Sequence, residues 1–405
     1  MLVRVGLNVL HISESDVLGG AARTAYNVHT GLNASGHLSR MLVGRKASND
    51  AGVRRIKRGN AWRAADRLSG EVLDRLALQY VFYPSSFAVA LDPWFREAQV
   101  VQLHNLHGSY FGFSALPTLS RRRPTVWLLQ DQWSFTGHVA YSLDCERWLE
   151  GCGSCPYLSE YPRLRRDTTS LLWRLKRRVY DRSRLTLIVP SNWLLELVQA
   201  SPLLSRFPVH RIPHGVDTEV FRPRAKGEAR RRLGLPEDRP VVLFVASDLN
   251  EPRKGLHLLE QALRLMEDPP LLLAVGAGKV SSSDSRVLGP ISDDALLAQA
   301  YAAADVLAVP TVADAINQTA IESIACGTPC VSFDQGGITD VVRPGETGYR
   351  ARFGDITDFA RGLRSVLDAT DSFRERCRHV AEEEYSADLQ VRRYVGVYER
   401  VLDGP

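Results

Sequence analysis

The sequence predicts an α/β protein of two domains, each a parallel β-sheet wound with helices on both faces. The chain has 405 residues, which is longer than a domain built on a single hydrophobic core usually is. Short runs rich in Val, Leu and Ile alternate with helix-length segments along the chain, which is typical of buried parallel strands covered by helices. A turn-rich passage, RIPHGVDTEVFRPRAKGE, separates the alternation into two series.

The first series occupies residues 1–212 and defines the first predicted domain. Its strands are expected at 3–12, 41–44, 100–105, 125–130 and 185–190, and two of its helices at Ala21–Leu32 and Asn192–Ala200.

The second series occupies residues 213–385, with a separate segment at 386–405. Its strands are expected at 240–247, 270–278, 285–291, 305–311, 329–334 and around Gly348–Tyr349. The last segment has apolar residues at helical spacing, so we expect a helix that packs on either domain, including by crossing back to the first. Ligands of open α/β sheets bind at the carboxyl ends of the strands, which predicts a cleft between the two domains.

Composition and charge exclude several classes of protein. Apolar residues make up 44% and charged residues 24% of the chain, which is ordinary for a globular protein. No apolar run reaches the length of a membrane-spanning helix and the start lacks a signal-peptide pattern, so we expect a cytoplasmic protein. A net charge of +5 fits anionic substrates or a lipid surface but is too weak to indicate nucleic-acid binding.

Basic residues concentrate at Arg121–Arg123 and in Arg163–Arg184, and the second segment is predicted to be a helix. Two interpretations of this helix stay open. It is either a solvated helix packed on its own domain, or an interfacial helix that holds the protein peripherally on the anionic inner face of a membrane.

The segment 310–349 holds the strongest candidate site. Asn317 is a good N-cap, so we predict a helix that begins at Gln318. The N–H groups of Thr319 and Ala320 would then be left for an anion such as a pyrophosphate, which the helix dipole also favours.

Two acids flank this helix start. Asp314, in the loop before the helix, is placed to receive sugar hydroxyls, and Glu322, one turn inside, to receive ribose hydroxyls. An unrelated loop acid and surface glutamate would have the same spacing, but the small residues that follow let a backbone approach a ligand and favour a site. A nucleotide sugar lying across the helix start fits this arrangement.

Asp314 and Glu322, followed by Ala325–Pro329 and Gly336–Gly337, resemble the signature of the retaining glycosyltransferases of family four. The resemblance implies the GT-B fold, which has two Rossmann-like domains. It also implies a nucleotide diphosphate sugar as co-substrate and metal-independent catalysis without a required cofactor. Asp314 stands where many members have glutamate, and its shorter arm changes the contact with the sugar.

Three further elements resemble the same family. The Arg253-Lys254-Gly255 element implies a site for the donor diphosphate, where a cation at about 4 Å contributes about 4 kcal/mol at an effective dielectric constant of 20. Gly289 and Ile291 match the element whose main chain meets the base. Gly19 and Gly20 resemble a glycine loop whose N–H groups would face the donor phosphates.

The segment QDQWSFTGHVAYSLDCERWLEGCGSCP most resembles the bacterial exopolysaccharide and capsule enzymes of the family. Gln130 replaces a histidine that in relatives lies beside the transferred sugar. Glutamine still donates and accepts hydrogen bonds but does not titrate. His214, in IPHGVD, stands where the family has asparagine.

Cys145, Cys152 and Cys155 have a spacing that seats ligands on a tetrahedral zinc ion. Val139 replaces the fourth cysteine of relatives, and His138 beside it completes a structural Cys3His zinc site in one interpretation. Reduced thiols that pack without a metal are the alternative.

His104 and His107 end a predicted strand of the first domain and point toward the cleft. An acceptor-binding role and a buried, hydrogen-bonded histidine pair both stay open, and neither histidine is assigned as a general base.

The predicted function is retaining transfer of a hexosyl group to a hydroxyl acceptor, a saccharide or lipid-linked saccharide of polysaccharide or glycoconjugate biosynthesis. Lys254 and Arg253 would stabilise the leaving diphosphate, while Asp314 and Gln130 position the sugar. A catalytically silent nucleotide-sugar-binding partner subunit and a sugar-nucleotide epimerase of the same fold remain as alternatives.

Overall fold

The structure is a computed structural model that describes residues 6–56 and 59–404. Positions 3–5 of the first predicted strand lie outside the described residues. The chain divides into two compact units, one comprising residues up to Ile212 together with the segment from Gln390 onward, the other comprising Pro213–Leu389.

The first unit is built on a parallel sheet with the strand order β3-β2-β1-β4-β5-β6-β7. Its strands are β1 Asn8–Ser15, β2 Leu38–Arg45, β3 Val53–Arg55, β4 Val100–Leu103, β5 Thr125–Leu128, β6 Thr186–Val189 and β7 Val209–Arg211. The strand order reverses between β1 and β4. The carboxyl ends of these two strands therefore form a topological switch point, where open sheets of this kind bind ligands.

Eight helices accompany this sheet in the described residues. They are α1 Gly20–Ala34, α2 Asn60–Arg75, α3 Pro84–Ala88, α4 Pro93–Glu97, α5 Leu116–Ser120, α6 Thr169–Tyr180, α7 Asn192–Ala200 and α14 Ala387–Asp403. Of α14, the part from Gln390 onward belongs to the first unit. Tyr394 and Tyr398 of α14 pack against Val9 and Leu32 in the core of the first unit. The Tyr398 hydroxyl donates a hydrogen bond to Gln102 Oε1 at 3.1 Å, so the last turns of the chain belong to this core.

The second unit is built on a parallel sheet with the order β10-β9-β8-β11-β12-β13. Its strands are β8 Val241–Asp248, β9 Leu271–Ala277, β10 Ser285–Val287, β11 Val306–Val309, β12 Cys330–Phe333 and β13 Gly348–Ala351. Its helices are α8 Lys226–Leu233, α9 Leu256–Arg264, α10 Asp294–Ala303, α11 Gln318–Ala325, α12 Ile356–Leu367 and α13 Thr370–Tyr385. The switch point of this sheet lies between β8 and β11.

These two sheets confirm the predicted α/β class. Strands such as β5, β11 and β12 are buried at every position, which is why they read as continuous apolar runs rather than as alternating patterns. Two strands, β3 and β7, were not predicted. Both have only three residues, and β7 lies at the edge of its sheet beside the turn-rich passage.

The basic helix is shorter than predicted. It covers Thr169–Tyr180 instead of 163–184, because Asp167 accepts hydrogen bonds from the N–H and hydroxyl of Thr169 and fixes a turn just before the helix. Leu172 and Trp173 on this helix are buried within the first unit. None of the helices in residues 6–56 and 59–404 is long and apolar enough to cross a membrane.

Candidate functional site

Loops after β8 and β11 meet beside the switch point of the second sheet. The turn Pro252–Lys254 docks on the loop after β11: the N–H of Val312 and the hydroxyl of Thr311 donate to the Arg253 carbonyl oxygen at 3.0 and 3.1 Å. Gly255 permits this close approach, because it has a φ of +80° and a Cβ atom there would lie 2.1 Å from the Pro310 carbonyl oxygen. The sequence therefore places a basic turn directly against an acidic loop.

Two cations of this turn converge on one buried carboxylate. Lys254 Nζ lies 2.7 Å from Asp314 Oδ2, and the Arg253 guanidinium lies 3.8 Å from Asp314 Oδ1. Arg253 also donates to the Ala313 carbonyl oxygen at 2.6 Å, which orients its guanidinium toward the same loop. Asn317 Nδ2 donates to Asp314 Oδ2 at 3.2 Å.

Asp314 is ionised in this environment although its residue is only 8% exposed. Burial alone would raise the pKa of its carboxyl group, but the charges of Lys254 and Arg253, with hydrogen bonds from Lys254 and Asn317, outweigh burial and lower that pKa. The charge of Asp314 is thus balanced by Lys254 and Arg253. An anion of higher charge, such as a diphosphate, competes with Asp314 for these two cations.

Helix α11 begins at Gln318 and Asn317 is its N-cap, as predicted. Asn317 Oδ1 accepts from the N–H of Ala320 at 3.0 Å and from the Thr319 hydroxyl at 2.6 Å. The prediction that the Ala320 N–H is free for an anion is therefore wrong, because the cap itself occupies it. The N–H groups of Gln318 and Thr319 have no acceptor within the helix.

The two glycines after β12, Gly336 and Gly337, contact the backbone of Asp314. The N–H of Gly337 donates to the Asp314 carbonyl oxygen at 2.9 Å. Gly336 has a φ of +75°, and a Cβ atom there would lie 2.9 Å from the same oxygen. These small residues let one loop backbone approach another, which fixes the position of the carboxylate.

The other predicted donor residues of the second unit have their own partners. Glu322 accepts a hydrogen bond at 2.8 Å from the hydroxyl of Tyr301, a buried residue of α10 that sequence reasoning did not identify. The Gly289 carbonyl oxygen accepts from the N–H of Gly276 at 2.9 Å. Ile291 is partly buried against the core of the same unit.

A cavity of about 550 Å³ lies at the carboxyl ends of strands in the first unit, around the switch point of its sheet. It gathers five residues that the sequence singled out separately, namely Gly19, Gly20, His104, His107 and Gln130. Its size falls in the range of ligand pockets.

Gln130 and the glycine loop lie side by side in this cavity. Gln130 Nε2 donates to the carbonyl oxygen of Ala21, in the first turn of α1, at 3.4 Å. Gly19 precedes α1 with a φ of +89°, and no side chain caps the helix start. A Cβ atom at Gly19 or Gly20 would meet nothing within 4 Å, so both residues face open space.

His104 and His107 do not form a pair with each other. His107 Nε2 lies 2.7 Å from Asp131 Oδ2, and its Nδ1 lies 3.1 Å from the Tyr161 hydroxyl. His104 Nε2 lies 3.0 Å from Nδ1 of His11, with the two rings stacked. Asp131 directly follows Gln130 in the chain, and only its spatial contact with His107 marks it as part of the site.

The predicted zinc site is not supported. His138, Cys145, Cys152 and Cys155 do line one small cavity, and Cys155 Sγ lies 3.5 Å from His138 Nε2. However, no three His, Cys, Asp or Glu side chains in the described part of the chain are placed to hold a metal ion together. Burial raises the pKa of the Cys152 thiol to about 11 and that of Cys155 as well, which favours packed, protonated thiols.

His214 lies near Asp314 and Gln318, at the start of α11. Its burial lowers the pKa of the imidazole to about 4, against the opposing effects of the Asp314 charge and a hydrogen bond with Gln318. The native protein therefore keeps His214 neutral between the ordinary value of 6.5 and about 4, whereas the unfolded chain binds a proton there. Stability should consequently fall as the pH decreases through this window.

Replacing His214 with asparagine should remove this acid sensitivity. The difference in the free energy of unfolding between the wild type and His214→Asn is expected to change by about 3 kcal/mol from pH 7 to pH 4, at about 1.4 kcal/mol per pH unit. Urea unfolding at both pH values measures it. The exposed His257 provides the control as His257→Asn, and an equal difference for His214→Asn at the two pH values would contradict the prediction.

Comparisons with known proteins define the class and then the family. Solved structures of the GT-B class cover nearly the whole chain, so the two parallel-sheet units have the fold of that class. Residues 18–220 of the 405 match the model described as Glycosyltransferase Family 4, and residues 239–369 match the one described as Glycosyl transferases group 1. The first match spans half of the chain, and the protein belongs to Glycosyltransferase Family 4.

Curated relatives match parts of the chain. The D-inositol 3-phosphate glycosyltransferase of Geodermatophilus obscurus is 36% identical over 180 residues, covering 38% of this chain and 39% of the relative. The enzyme of the same name from Thermobispora bispora is 31% identical over 250 residues, covering 56% of this chain and 57% of the relative. The alignments thus span roughly two fifths to somewhat over half of these relatives' length.

Two solved structures illustrate the fold. Sucrose-phosphate synthase from Thermosynechococcus elongatus superposes with a TM-score of 0.67 at 18% identity, over 98% of this chain and 100% of that one. HepE of Anabaena in complex with UDP-glucose superposes with a TM-score of 0.68 at 16% identity, over 96% of this chain and 99% of that one. At this identity the likeness concerns the fold.

Proposed function

We propose that this protein is a retaining glycosyltransferase that moves a hexosyl group from a nucleotide diphosphate sugar to a hydroxyl acceptor. The observation that carries the proposal is the convergence of Lys254, Arg253 and Asp314 at the start of α11. A diphosphate leaving group gains negative charge as its bond to the sugar breaks, and two cations beside a helix N-terminus stabilise that charge.

The second unit binds the donor in this proposal. Lys254 and Arg253 exchange Asp314 for the diphosphate, and the N–H groups of Gln318 and Thr319 donate to it. Asp314, released from Lys254, then accepts a hydrogen bond from a hydroxyl of the sugar. The role of Glu322 toward the ribose, and those of Gly289 and Ile291 toward the base, stay as predicted from the family resemblance.

Transfer with retention needs no covalent nucleophile from the protein. The departing phosphate oxygen takes the acceptor proton while the new glycosidic bond forms on the face that the phosphate leaves. The protein contributes position and electrostatic stabilisation, and no protein-bound metal takes part.

The first unit binds the acceptor in this proposal, within the cavity of about 550 Å³. Its lining offers Gln130, His107 and Asn105 as hydrogen-bonding groups, which suits the hydroxyls of a saccharide. The roles of Gly19 and Gly20 toward the donor phosphates, and of Gln130 toward the transferred sugar, stay as predicted from the family resemblance. The acceptor is a saccharide or lipid-linked saccharide, as the likeness of the cysteine segment to exopolysaccharide enzymes indicates.

A polyol phosphate is a second candidate acceptor. The curated relatives named above are D-inositol 3-phosphate glycosyltransferases, at up to 36% identity over the matched part. An acceptor assay therefore includes D-inositol 3-phosphate beside lipid-linked saccharides.

The test combines UDP-, GDP- and dTDP-sugars with both acceptor classes. We expect one donor to give a product whose new glycosidic bond keeps the anomeric configuration of the donor, read by NMR. A product of inverted configuration would overturn the retaining mechanism. Epimerisation of a donor incubated alone would favour the epimerase, and donor binding without turnover on any acceptor would favour the silent partner subunit.

Leu172 and Trp173 of α6 are buried in their own unit, and Leu171 is the large apolar side chain that this helix exposes, so α6 has no continuous apolar face for a membrane among the described residues. We propose that this helix is a solvated, packed element. Binding to anionic vesicles that is lost on replacing Arg177 and Arg178 would reverse this choice.

A further inference from the structure

A second large cavity of the first unit has no part in the proposed reaction. It measures about 870 Å³ and lies where β5, β6 and β7 begin, with Thr125, Thr186 and Pro208 in its lining. The cavity of about 550 Å³ lies at the carboxyl ends of strands in the same sheet, so the two cavities occupy opposite edges.

The lining of this cavity is strongly basic. Five arginines contribute to it, from three separate parts of the chain: Arg121, Arg122, Arg123, Arg184 and Arg400. Asp403 also lines the cavity, but within residues 6–56 and 59–404 none of the five arginines forms an ion pair. Burial, followed by the charge of Arg400, lowers the pKa of His210 in the same lining, in agreement with a positive potential there.

Carbonyl oxygens orient two of these arginines. Arg121 Nε donates to the Arg182 carbonyl oxygen at 3.1 Å. Arg123 donates to the carbonyl oxygens of Arg122, at 3.1 Å, and of Arg96. A carbonyl oxygen fixes the direction of a guanidinium without neutralising its charge. Arg121 and Arg123 are therefore held at the cavity by contacts that leave their charge uncompensated.

The cavity also has an apolar wall. Leu185 and Phe207 are buried residues of the lining, and Val401 of α14 adds a third apolar side chain. A volume of several hundred cubic ångströms exceeds what a single inorganic ion needs and matches that of a small organic ligand. Walls of this kind accommodate a molecule that joins an anionic group to a less polar body.

We infer that this cavity binds a phosphate-bearing anion at the edge of the first sheet opposite the proposed acceptor site. Guanidinium groups form paired, charge-assisted hydrogen bonds with phosphate oxygens, and several of them around one cavity repel one another unless an anion is present. A phosphate group supplies that anion whether it belongs to a soluble polyphosphate or to a lipid headgroup. This inference is independent of the proposed transfer reaction.

The experiment measures anion binding in a protein whose proposed donor site is disabled. In the Lys254→Ala background, sodium tripolyphosphate is titrated calorimetrically at 150 mM salt. Sedimentation with vesicles of phosphatidylglycerol and phosphatidylcholine tests the lipid source. The variant Arg121→Gln/Arg122→Gln addresses the cavity. Arg177→Gln/Arg178→Gln removes the same charge from exposed positions of α6 and is the matched control.

We expect the cavity variant to bind at least one of the two probes about tenfold more weakly, while the control stays within twofold of its parent. Adding Arg400→Gln should weaken binding further, because that side chain approaches the same cavity from α14. Loss with tripolyphosphate identifies a soluble source, and loss with vesicles alone identifies a headgroup. Equal loss in the cavity variant and the control, no loss in the cavity variant, or no binding of either probe would overturn the inference. Unchanged thermal melting of both variants shows that they remain folded.

Discussion

Lys254→Ala should lower kcat about a thousandfold with little change in the fold. The ammonium group lies 2.7 Å from Asp314 Oδ2 and, in the proposed reaction, moves to the leaving diphosphate. A cation about 4 Å from a unit charge contributes about 4 kcal/mol at an effective dielectric constant of 20, which corresponds to about three orders of magnitude in rate. Steady-state kinetics at saturating donor and acceptor measure the effect.

The second unit offers a matched control for this substitution. Lys226 forms an ion pair of 2.6 Å with Asp305, and its side chain is 27% exposed, against 24% for Lys254. Asp305 precedes the amino end of β11, whereas Asp314 follows its carboxyl end. Lys226→Ala therefore removes a comparable ion pair at the other edge of the sheet, and its activity should stay within twofold of the wild type. Activity within twofold for Lys254→Ala would reject its role.

The fold was accessible from the sequence because its signals are local. Central strands such as β5, β11 and β12 are short, apolar and buried at every position, and helix-length segments separate most strands from the next. The start of α11 was equally accessible, since Asn317 signals an N-cap through its own chemistry. The strands β3 and β7 carry no such signal, because their three residues include polar side chains that are not buried.

The contacts that build the candidate site depend on residues far apart in the chain. Lys254 and Asp314 are 60 positions apart, and only the docking of one loop on another brings them to 2.7 Å. The same holds for Tyr301 with Glu322 and for Asp131 with His107. Sequence reasoning named both members of the first pair, but only Glu322 and His107 of the other two, for which the geometry supplied Tyr301 and Asp131. Residue spacing left a zinc site and packed thiols both open at the cysteines, and the described residues favour packed thiols.

Asp314→Asn should separate sugar positioning from diphosphate binding. Asparagine keeps the size of the side chain but gives up the charge that holds Lys254 in the ligand-free protein. Lys254 and Arg253 then need no exchange of partner, so the nucleoside diphosphate product should bind as tightly as in the wild type or more tightly. A hydrogen bond from a sugar hydroxyl to a charged acceptor contributes about 1.5–3 kcal/mol, so its loss should lower kcat about 10- to 100-fold.

The direction of these two changes distinguishes the proposed role from a structural one. If Asp314 only supported the loop, its replacement would weaken product binding and kcat together, whereas positioning of the sugar lowers kcat alone. Asp314→Glu restores the charge on the longer arm that many family members carry, and we expect it to recover most of the lost rate. Calorimetric binding of the nucleoside diphosphate and steady-state kinetics on both variants decide the matter. An Asp314→Asn protein with wild-type kcat would mean that the sugar is held by other groups, and that Asp314 serves only to hold the two cations in place until the diphosphate replaces it.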